Sequence, residues 1–294
     1  VHELIENQVE ELNNMIIGNI FSTGKDLVWI YEGKELDITD SKSLNFHLSE
    51  ICDDIYPKTP MFDNELINRE KVSASVYKPR KSLLEHLINS SHLPDLGFDK
   101  DAFPAEKTIY LSLLKNSGIH RERNGVWTLG EPHKDSGLID LWIESERFFE
   151  STKTGKKPIK DLFDILRQAP YGLKSGFIDL WVPVYLIIKG DDYALYQEES
   201  YVPELTFDII NLVYRNPKLF EIKAYEISDV KRNIFSAYRS INNDVDSVEF
   251  TNKSFIETIR PFLLLYNNLN EYGRTTSKIS TEAQRLRDAI KTAT

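Results

Sequence analysis

The dipeptide Asn124-Gly125 restricts the fold of this chain more than any other feature. It lies between two short segments of strand-like composition, residues 119–123 and 126–129. Asn and Gly both tolerate a positive φ, so this pair between two short strands predicts a tight β-hairpin.

Helical patterns precede this hairpin. Residues 105–116 place apolar side chains on one helical face, and Gly118 follows as a helix stop. Further upstream, residues 64–89 also have a helical pattern, which the tripeptide Lys78-Pro79-Arg80 is expected to interrupt. Helices followed by a tight hairpin are typical of a winged helix, and we therefore predict a winged-helix-like domain over residues 61–132.

A second winged-helix-like domain is predicted over residues 133–229. Its pattern contains helices at about 158–168, 176–189 and 203–215, and strands at 193–197 and 220–227. Pro203 just inside the start of the third helix, and Asn216-Pro217 just past its end, are typical helix boundaries.

One short segment of this region occurs twice. Ser136-Gly-Leu-Ile-Asp-Leu-Trp142 returns as Ser175-Gly-Phe-Ile-Asp-Leu-Trp181. A true helical repeat would preserve its apolar face beyond these residues, and the flanking sequences do not match. We therefore interpret the pair as two similar helix starts in preference to a duplication.

The two ends of the chain also have helical patterns. Residues 1–60 contain a helix at 3–20, a hairpin around Gly33 and a helix at 43–56. Residues 230–294 form a helical segment, with helices predicted at 229–241, 252–271 and 280–292. The chain starts without a methionine and stops without a capping signal, so both ends are expected to be cuts and the last segment truncated, with processing as the alternative explanation of the first end. The predicted fold class is mainly α with small β-hairpins (α+β), in which tandem winged-helix-like units precede a helical C-terminal bundle.

Charge and cysteine content restrict the classes of function. The formal net charge is −10, and an acidic chain repels a phosphate backbone unless its basic residues are segregated. Cys52 is the only cysteine, which excludes an internal disulfide and a thiolate zinc cage and favours a cytoplasmic location. The longest apolar run, residues 181–188, is too short to span a bilayer, so no membrane partner is expected.

A phosphate-binding loop is suggested by Gly18, Gly24 and Lys25, but the match fails. Five residues separate the glycines where such a loop has four, and Asp26 stands where a Ser or Thr would bind magnesium. A carboxylate there would repel the nucleotide phosphates. No His pair has the spacing of helical zinc ligands, and we predict no cofactor, no metal and no catalytic residue in this segment.

One alternative is a divergent metal-dependent nuclease around Asp192, Glu221 and Lys223. An Asp and a Glu could hold Mg²⁺ while the lysine orients water. The simpler interpretation is the solvated face of an edge strand. The helix predicted at 203–215 is also expected to separate two strands that such a site needs side by side.

A second alternative is DNA binding by the first winged-helix-like domain. Winged helices present a helix to the major groove and a wing to the backbone. The candidate contacts are Arg69, Lys71, Lys78, Arg80 and Lys81 before the wing, and Arg121 and Arg123 on it. Acidic residues are interspersed among them, which is typical of ordinary surface charge.

Several strings of this sequence resemble a segment of very large bacterial P-loop ATPases of phage-defence systems, the BREX protein C and PglY-like proteins. The longest are Glu50-Ile-Cys-Asp-Asp-Ile-Tyr-Pro-Lys-Thr-Pro60 and Asn64-Glu-Leu-Ile-Asn-Arg69. The shorter strings are Lys107-Thr-Ile-Tyr-Leu-Ser-Leu-Leu114, Tyr171-Gly-Leu-Lys-Ser-Gly176, Tyr193-Ala-Leu-Tyr196, Tyr201-Val-Pro-Glu-Leu205 and Asn216-Pro-Lys-Leu-Phe220. They occur in order over about residues 40–294, and none of them is catalytic.

The resemblance implies that the ATP and magnesium site lies in a separate module of a longer polypeptide. This chain would then be a non-catalytic middle region that couples nucleotide state to a partner. The implied partners are other modules of the same polypeptide, other defence-system proteins and, as a further possibility, DNA. The acidic balance of this chain departs from what direct DNA binding requires.

Overall fold

The computed structural model describes residues 2–21, 28–62, 64–71, 73–224, 264–266 and 268–293. The chain divides into two compact units, residues 1–57 and 58–294. The predicted boundary at residue 60 lies close to this division. The fold class is confirmed: the chain is mainly helical, with small antiparallel β elements.

The first unit contains two helices and a hairpin. They are α1 (His2–Phe21), β1 (Trp29–Tyr31), β2 (Lys34–Leu36) and α2 (Ser41–Ile55). The Asp40 side chain accepts a hydrogen bond from the Ser43 backbone N–H, and the Ser43 side chain bonds back to Asp40, so a capping box starts α2. Apolar side chains on one face of α1 remain exposed: Val9, Leu12, Met15 and Ile16.

The second unit begins with helices and a hairpin in the predicted order. These are α3 (Ala74–Ser90), a 3₁₀ turn (Pro94–Gly97), α4 (Ala105–Tyr110), a π-helical turn (Leu111–Lys115), β3 (His120–Arg123) and β4 (Val126–Leu129). The hairpin prediction is confirmed. Arg123 pairs with Val126, and the turn residues Asn124 and Gly125 have φ of 53° and 82°.

Two details of this region differ from the sequence-based prediction. The predicted helix at 64–89 is wrong in its first part, because Asn64 organises a turn: its carbonyl accepts from Ile67 and Asn68. The helix starts at Ala74 and continues through Pro79 without the expected interruption. Pro79 lies in the second turn of α3, where few upstream hydrogen bonds are lost, and the packing of α3 on its neighbours maintains the helix.

Residues 133–224 form helices around a four-stranded sheet. The elements are a 3₁₀ turn (Lys134–Ser136), α5 (Ile139–Glu150), β5 (Lys157–Pro158), α6 (Ile159–Arg167), α7 (Ser175–Ile188), β6 (Tyr193–Gln197), β7 (Ser200–Val202), α8 (Phe207–Arg215), a second 3₁₀ turn (Pro217–Leu219) and β8 (Phe220–Ala224). The strand order is β5-β8-β6-β7, with every neighbouring pair antiparallel. The sequence did not predict β5 or β7, so this region has a larger sheet than the wing of a winged helix. α8 begins later than predicted because the Thr206 side chain caps it by accepting from the Ile209 N–H.

A single hydrophobic cluster extends from Ile67 to Ile222. At its centre is α7, in which all residues from Gly176 to Leu186 except Asp179 are buried. α3 packs against both α7 and α8. The boundary predicted between residues 132 and 133 therefore runs through a continuous core and does not separate two independent ones.

The last described elements are α9 (Glu271–Thr275) and α10 (Thr281–Ala293). α10 confirms the helix predicted at 280–292. The helix predicted at 229–241 and most of the one at 252–271 lie outside the described residues. Across the described part of the chain, no helix combines the length and apolar character needed to cross a membrane.

Candidate functional site

Arg80, a candidate DNA contact, points into the protein. The residue is only 5% exposed, and its guanidinium lies 4.1 Å from the centre of the Tyr214 ring. Nη1 of Arg80 is 3.6 Å from Oδ2 of Asp179, an ion pair without a hydrogen bond. Burial raises the pKa of Asp179, although the nearby Arg80 and Arg167 act in the opposite direction. Arg80 therefore joins α3 to α7 and α8 and cannot reach a phosphate backbone.

Of the other candidate cations near α3, two contact neighbouring side chains or carbonyls and two are exposed. Nε of Arg69 donates to the Glu65 carbonyl at 2.7 Å. Lys81 Nζ lies 3.6 Å from the Glu85 carboxylate and 5.0 Å from the centre of the Phe207 ring. Lys71 and Lys78 are exposed and keep their charge available at the surface.

Of the two cations on the wing, Arg123 alone has no ion pair or hydrogen bond among the residues that the structure describes. Nη1 of Arg121 donates to the carbonyls of Gly118 and Glu131, each at 2.5 Å, and this anchors the base of the hairpin. Arg123 is exposed beside the turn. The hairpin therefore uses Arg121 for its own structure and leaves Arg123 exposed to solvent.

The helix directly before the wing is not basic on its surface. Lys107 is buried, and its ammonium donates to the carbonyls of Asp99, Lys100 and Ala102. Lys115 Nζ lies 2.5 Å from the Asp95 carboxylate. In a DNA-binding winged helix this element would enter the major groove, where cations are needed. Here Lys107 is buried, and the exposed Lys115 is paired with Asp95.

A buried polar chain fixes the wing to this helix. Nδ1 of His120 lies 2.8 Å from the Tyr110 hydroxyl, and Nε2 donates to the Ser91 carbonyl at 2.9 Å. Burial lowers the pKa of His120, which favours the neutral imidazole and makes Nδ1 the acceptor. Burial also raises the pKa of Tyr110, with the Asp95 carboxylate adding to the effect. The side chains of His120 and Tyr110 are both buried, so this hydrogen-bonded pair is a structural support and not an accessible reaction site.

The reasoning that a helix separates the candidate nuclease strands is wrong. β6 and β8 are neighbours in the sheet, and α8 connects them outside it. Glu221 pairs with Tyr196, whereas Asp192 precedes Tyr193 at the other end of β6, about 13 Å away at the usual strand rise.

The nuclease residues also have other neighbours. Asp192 lies 3.6 Å from Lys189 Nζ. A single metal ion cannot bridge carboxylates as far apart as Asp192 and Glu221. Within the described ranges, no three His, Cys, Asp or Glu side chains come together in a group that could hold a metal.

Comparisons with known proteins identify no relative. No protein-family model, no curated protein and no solved structure matches this chain.

Sequence reasoning missed one cluster of cations. Lys160, Arg167, Arg215 and Lys218 line a single cavity, although none of them was a candidate. They lie on α6, on α8 and on the 3₁₀ turn after α8. Because they are separate in the sequence, no local charge run marks them, and only the packing of α6 against the turn brings them together.

Proposed function

We propose that this chain is a non-catalytic regulatory or coupling region of a larger bacterial phage-defence ATPase, acting mainly through protein contacts. Several strings between residues 50 and 220 resemble such ATPases and occur in the same order. They support the proposal that the parent protein is one of these ATPases. The proposed partners are other modules of the same polypeptide and other defence-system proteins in the cytoplasm. Any ATP and magnesium would be bound by the parent protein's ATPase module.

One observation carries the preference for protein over DNA as the partner. Three cations of residues 61–132 are held by oxygens of this protein: Arg80 lies against Asp179, Arg121 donates to two carbonyls and Lys115 pairs with Asp95. Arg69 and Lys81 are exposed but each lies beside a glutamate, which leaves Lys71, Lys78 and Arg123 as the exposed candidates without an ion pair among the described residues. Three scattered cations on a chain of net charge −10 supply little counterion release on DNA.

Cross-linking of the parent polypeptide tests the proposed contacts. An amine-reactive cross-linker should join the exposed Lys71 or Lys78 to residues outside this chain. Lys107 is the internal control, because its ammonium is buried on three carbonyls and should not react. Cross-links confined to residues 1–294, or a parent gene that encodes no P-loop module, would contradict the proposal.

The DNA alternative has a separate test. Fluorescence anisotropy with a labelled duplex should give a dissociation constant weaker than about 10⁻⁴ M at physiological salt. Tight, salt-dependent binding that is lost in the Lys78→Ala plus Arg123→Ala variant would show that the unit is a DNA-binding winged helix instead. Lys100→Ala plus Lys134→Ala removes the same charge from exposed positions outside the candidate surface and is the matched control.

A further inference from the structure

A cavity of about 520 Å³ opens between α6, α7, α8 and the 3₁₀ turn Pro217–Leu219. This volume is within the range of small-molecule sites, roughly 300–1,000 Å³. Phe163 and Tyr214 supply aromatic walls, and Pro217 and Leu219 supply aliphatic ones. The cavity is thus large enough for a small molecule and offers apolar surface to its body.

Its polar lining is mainly cationic. Among the described residues that line it, four are basic, Lys160, Arg167, Arg215 and Lys218, and one is acidic, Asp179. The chain as a whole carries more acidic than basic residues. A local excess of cations against that background favours an anionic ligand.

Two of these cations keep their charge available. In the described part of the chain, neither Arg167 nor Lys218 has a carboxylate oxygen within 4.0 Å, and Arg167 only donates to the Ser175 hydroxyl at 3.3 Å. Lys160 is paired with Asp164, and Arg215 donates to the Tyr77 hydroxyl at 3.2 Å. Among the described residues Arg167 and Lys218 therefore make no close ion pair, and the carboxylates of Asp179 and Glu70 act on Arg167 only from a longer distance.

The single acid of the lining does not cancel this field. Asp179 already faces Arg80, which lies behind the cavity against Asp179 and Tyr214. Nη1 of Arg80 is buried and has no hydrogen-bond acceptor in the described part of the chain, so its positive charge is only partly compensated. The lining of the cavity and Arg80 behind it therefore carry a net positive charge.

We propose that this cavity binds the phosphate group of a small phosphorylated molecule, with Arg167 and Lys218 as its direct ligands. The planar guanidinium of Arg167 can donate two parallel hydrogen bonds to phosphate oxygens, and Lys218 adds a compact charge. Cations from several elements suit a dianion better than a single carboxylate. Phe163 and Tyr214 are placed to contact a ring of the ligand. A bound ligand would contact α6, α7 and α8 together and would thereby regulate how these helices pack. This regulation goes beyond the protein contacts proposed above.

Calorimetric titration of the whole chain at low salt tests this proposal with two probes. Inorganic pyrophosphate reports on the phosphate ligands alone, and ADP adds a ribose and a base to the same diphosphate. Both should bind, and Arg167→Gln plus Lys218→Gln should weaken both by at least about tenfold, because two charged hydrogen bonds are lost. The matched control, Lys100→Gln plus Lys134→Gln, should change the affinity by less than about twofold.

The outcomes separate the two sources of the phosphate. Tighter binding of ADP than of pyrophosphate supports a nucleotide-like ligand, whereas equal binding supports recognition of the phosphate alone. No heat from either probe at millimolar concentration, or equal affinity in the cavity variant, overturns the proposal. If the double variant fails to fold, Lys218→Gln alone decides, since this side chain is exposed.

Discussion

Two segments of nearly identical sequence, Ser136–Trp142 and Ser175–Trp181, adopt different structures at their starts. In the first segment, Ser136 ends a 3₁₀ turn, Gly137 has a φ of 73°, and the helix begins only at Ile139. In the second, the helix begins at Ser175 itself. The Ser-Gly pair that opens each segment thus has the same sequence in both places but a different backbone conformation.

Distant contacts explain the earlier helix start in the second segment. The Ser175 N–H and hydroxyl donate to the Glu70 carboxylate at 3.1 and 2.6 Å, and the Gly176 N–H donates to the Arg69 carbonyl at 2.8 Å. The free N–H groups of the helix end are thereby satisfied by a chain segment about a hundred residues away. In the first segment the Ser136 hydroxyl accepts only a local bond, from the Leu138 N–H at 3.2 Å.

The aspartates of the two segments also differ, whereas the tryptophans do not. Asp140 is exposed, but Asp179 faces the buried Arg80. Trp142 and Trp181 are both buried, with ring centres 4.9 and 6.4 Å from that of Tyr185. The comparison shows that apolar residues of a repeated pattern reach the core in both places, while polar residues follow their neighbours.

The largest expected difference concerns the two aspartates. Asp179→Ala should lower the free energy of unfolding by about 2–4 kcal/mol, because it leaves Arg80 buried without its carboxylate. Asp140→Ala, the matched control, should cost less than about 1 kcal/mol because the side chain is exposed. Urea unfolding measures both.

The reverse substitution sharpens the same prediction. Arg80→Met should cost less than Asp179→Ala, since a carboxyl left alone can take up a proton whereas a guanidinium cannot lose one. Equal losses for Asp179→Ala and Asp140→Ala would show that the ion pair does not distinguish the segments.

Gly137→Ala should cost about 1–2 kcal/mol, because the left-handed backbone at Gly137 strains any residue with a Cβ atom. Gly155→Ala is the control, since Gly155 has a normal φ and open space around it. Thermal unfolding of both variants checks this. A neutral Gly137→Ala would mean that the first segment can start its helix as early as the second.

Removing the distant cap should have a smaller effect. Glu70→Ala should destabilise the protein by about 0.5–1 kcal/mol, as for the loss of an exposed helix cap. Asp135→Ala beside the first segment has no such role and should be neutral. Amide exchange should show faster opening at residues 175–178 in the Glu70 variant, and unchanged exchange there would contradict the assignment of Glu70 as the cap.

The smallest effects are two pH dependences of opposite sign. Hydrogen bonds from Ser175 lower the pKa of Glu70 below its ordinary value of 4.5, so its stabilisation is complete above pH 4.5 and is lost as the pH falls through the folded-state pKa. Burial raises the pKa of Asp179 above 3.8, so stability falls as the pH rises from 3.8 through the folded-state pKa. Comparing the wild type with Glu70→Gln and Asp179→Asn across this range should give slopes of opposite sign, and equal signs would contradict the assigned environments.

Local chemistry explains which parts of the fold were predictable. The Asn124-Gly125 turn specifies its hairpin within a few residues, and the apolar spacings of α6 and α7 locate those helices within about one residue. The pairing of β6 with β8 was not predictable, because α8 lies between them in sequence and nothing local reports the register. Arg80 was grouped with surface cations for the same reason, since its partners Asp179 and Tyr214 are far away in the chain.

The sequence by itself determined the helical class of this protein, its hairpins and the apolar residues of its core, since burial follows spacing along each element. Only the tertiary structure decided which charged side chains bind oxygens of the protein itself and which remain available to a ligand. Arg80, Arg121 and Lys107 lie against internal oxygens, whereas Arg167 and Lys218 line a cavity and make no close ion pair with any carboxylate that the structure describes. The physical reason is that a charge acts through whatever lies within a few ångströms of it, and those neighbours come from distant parts of the chain.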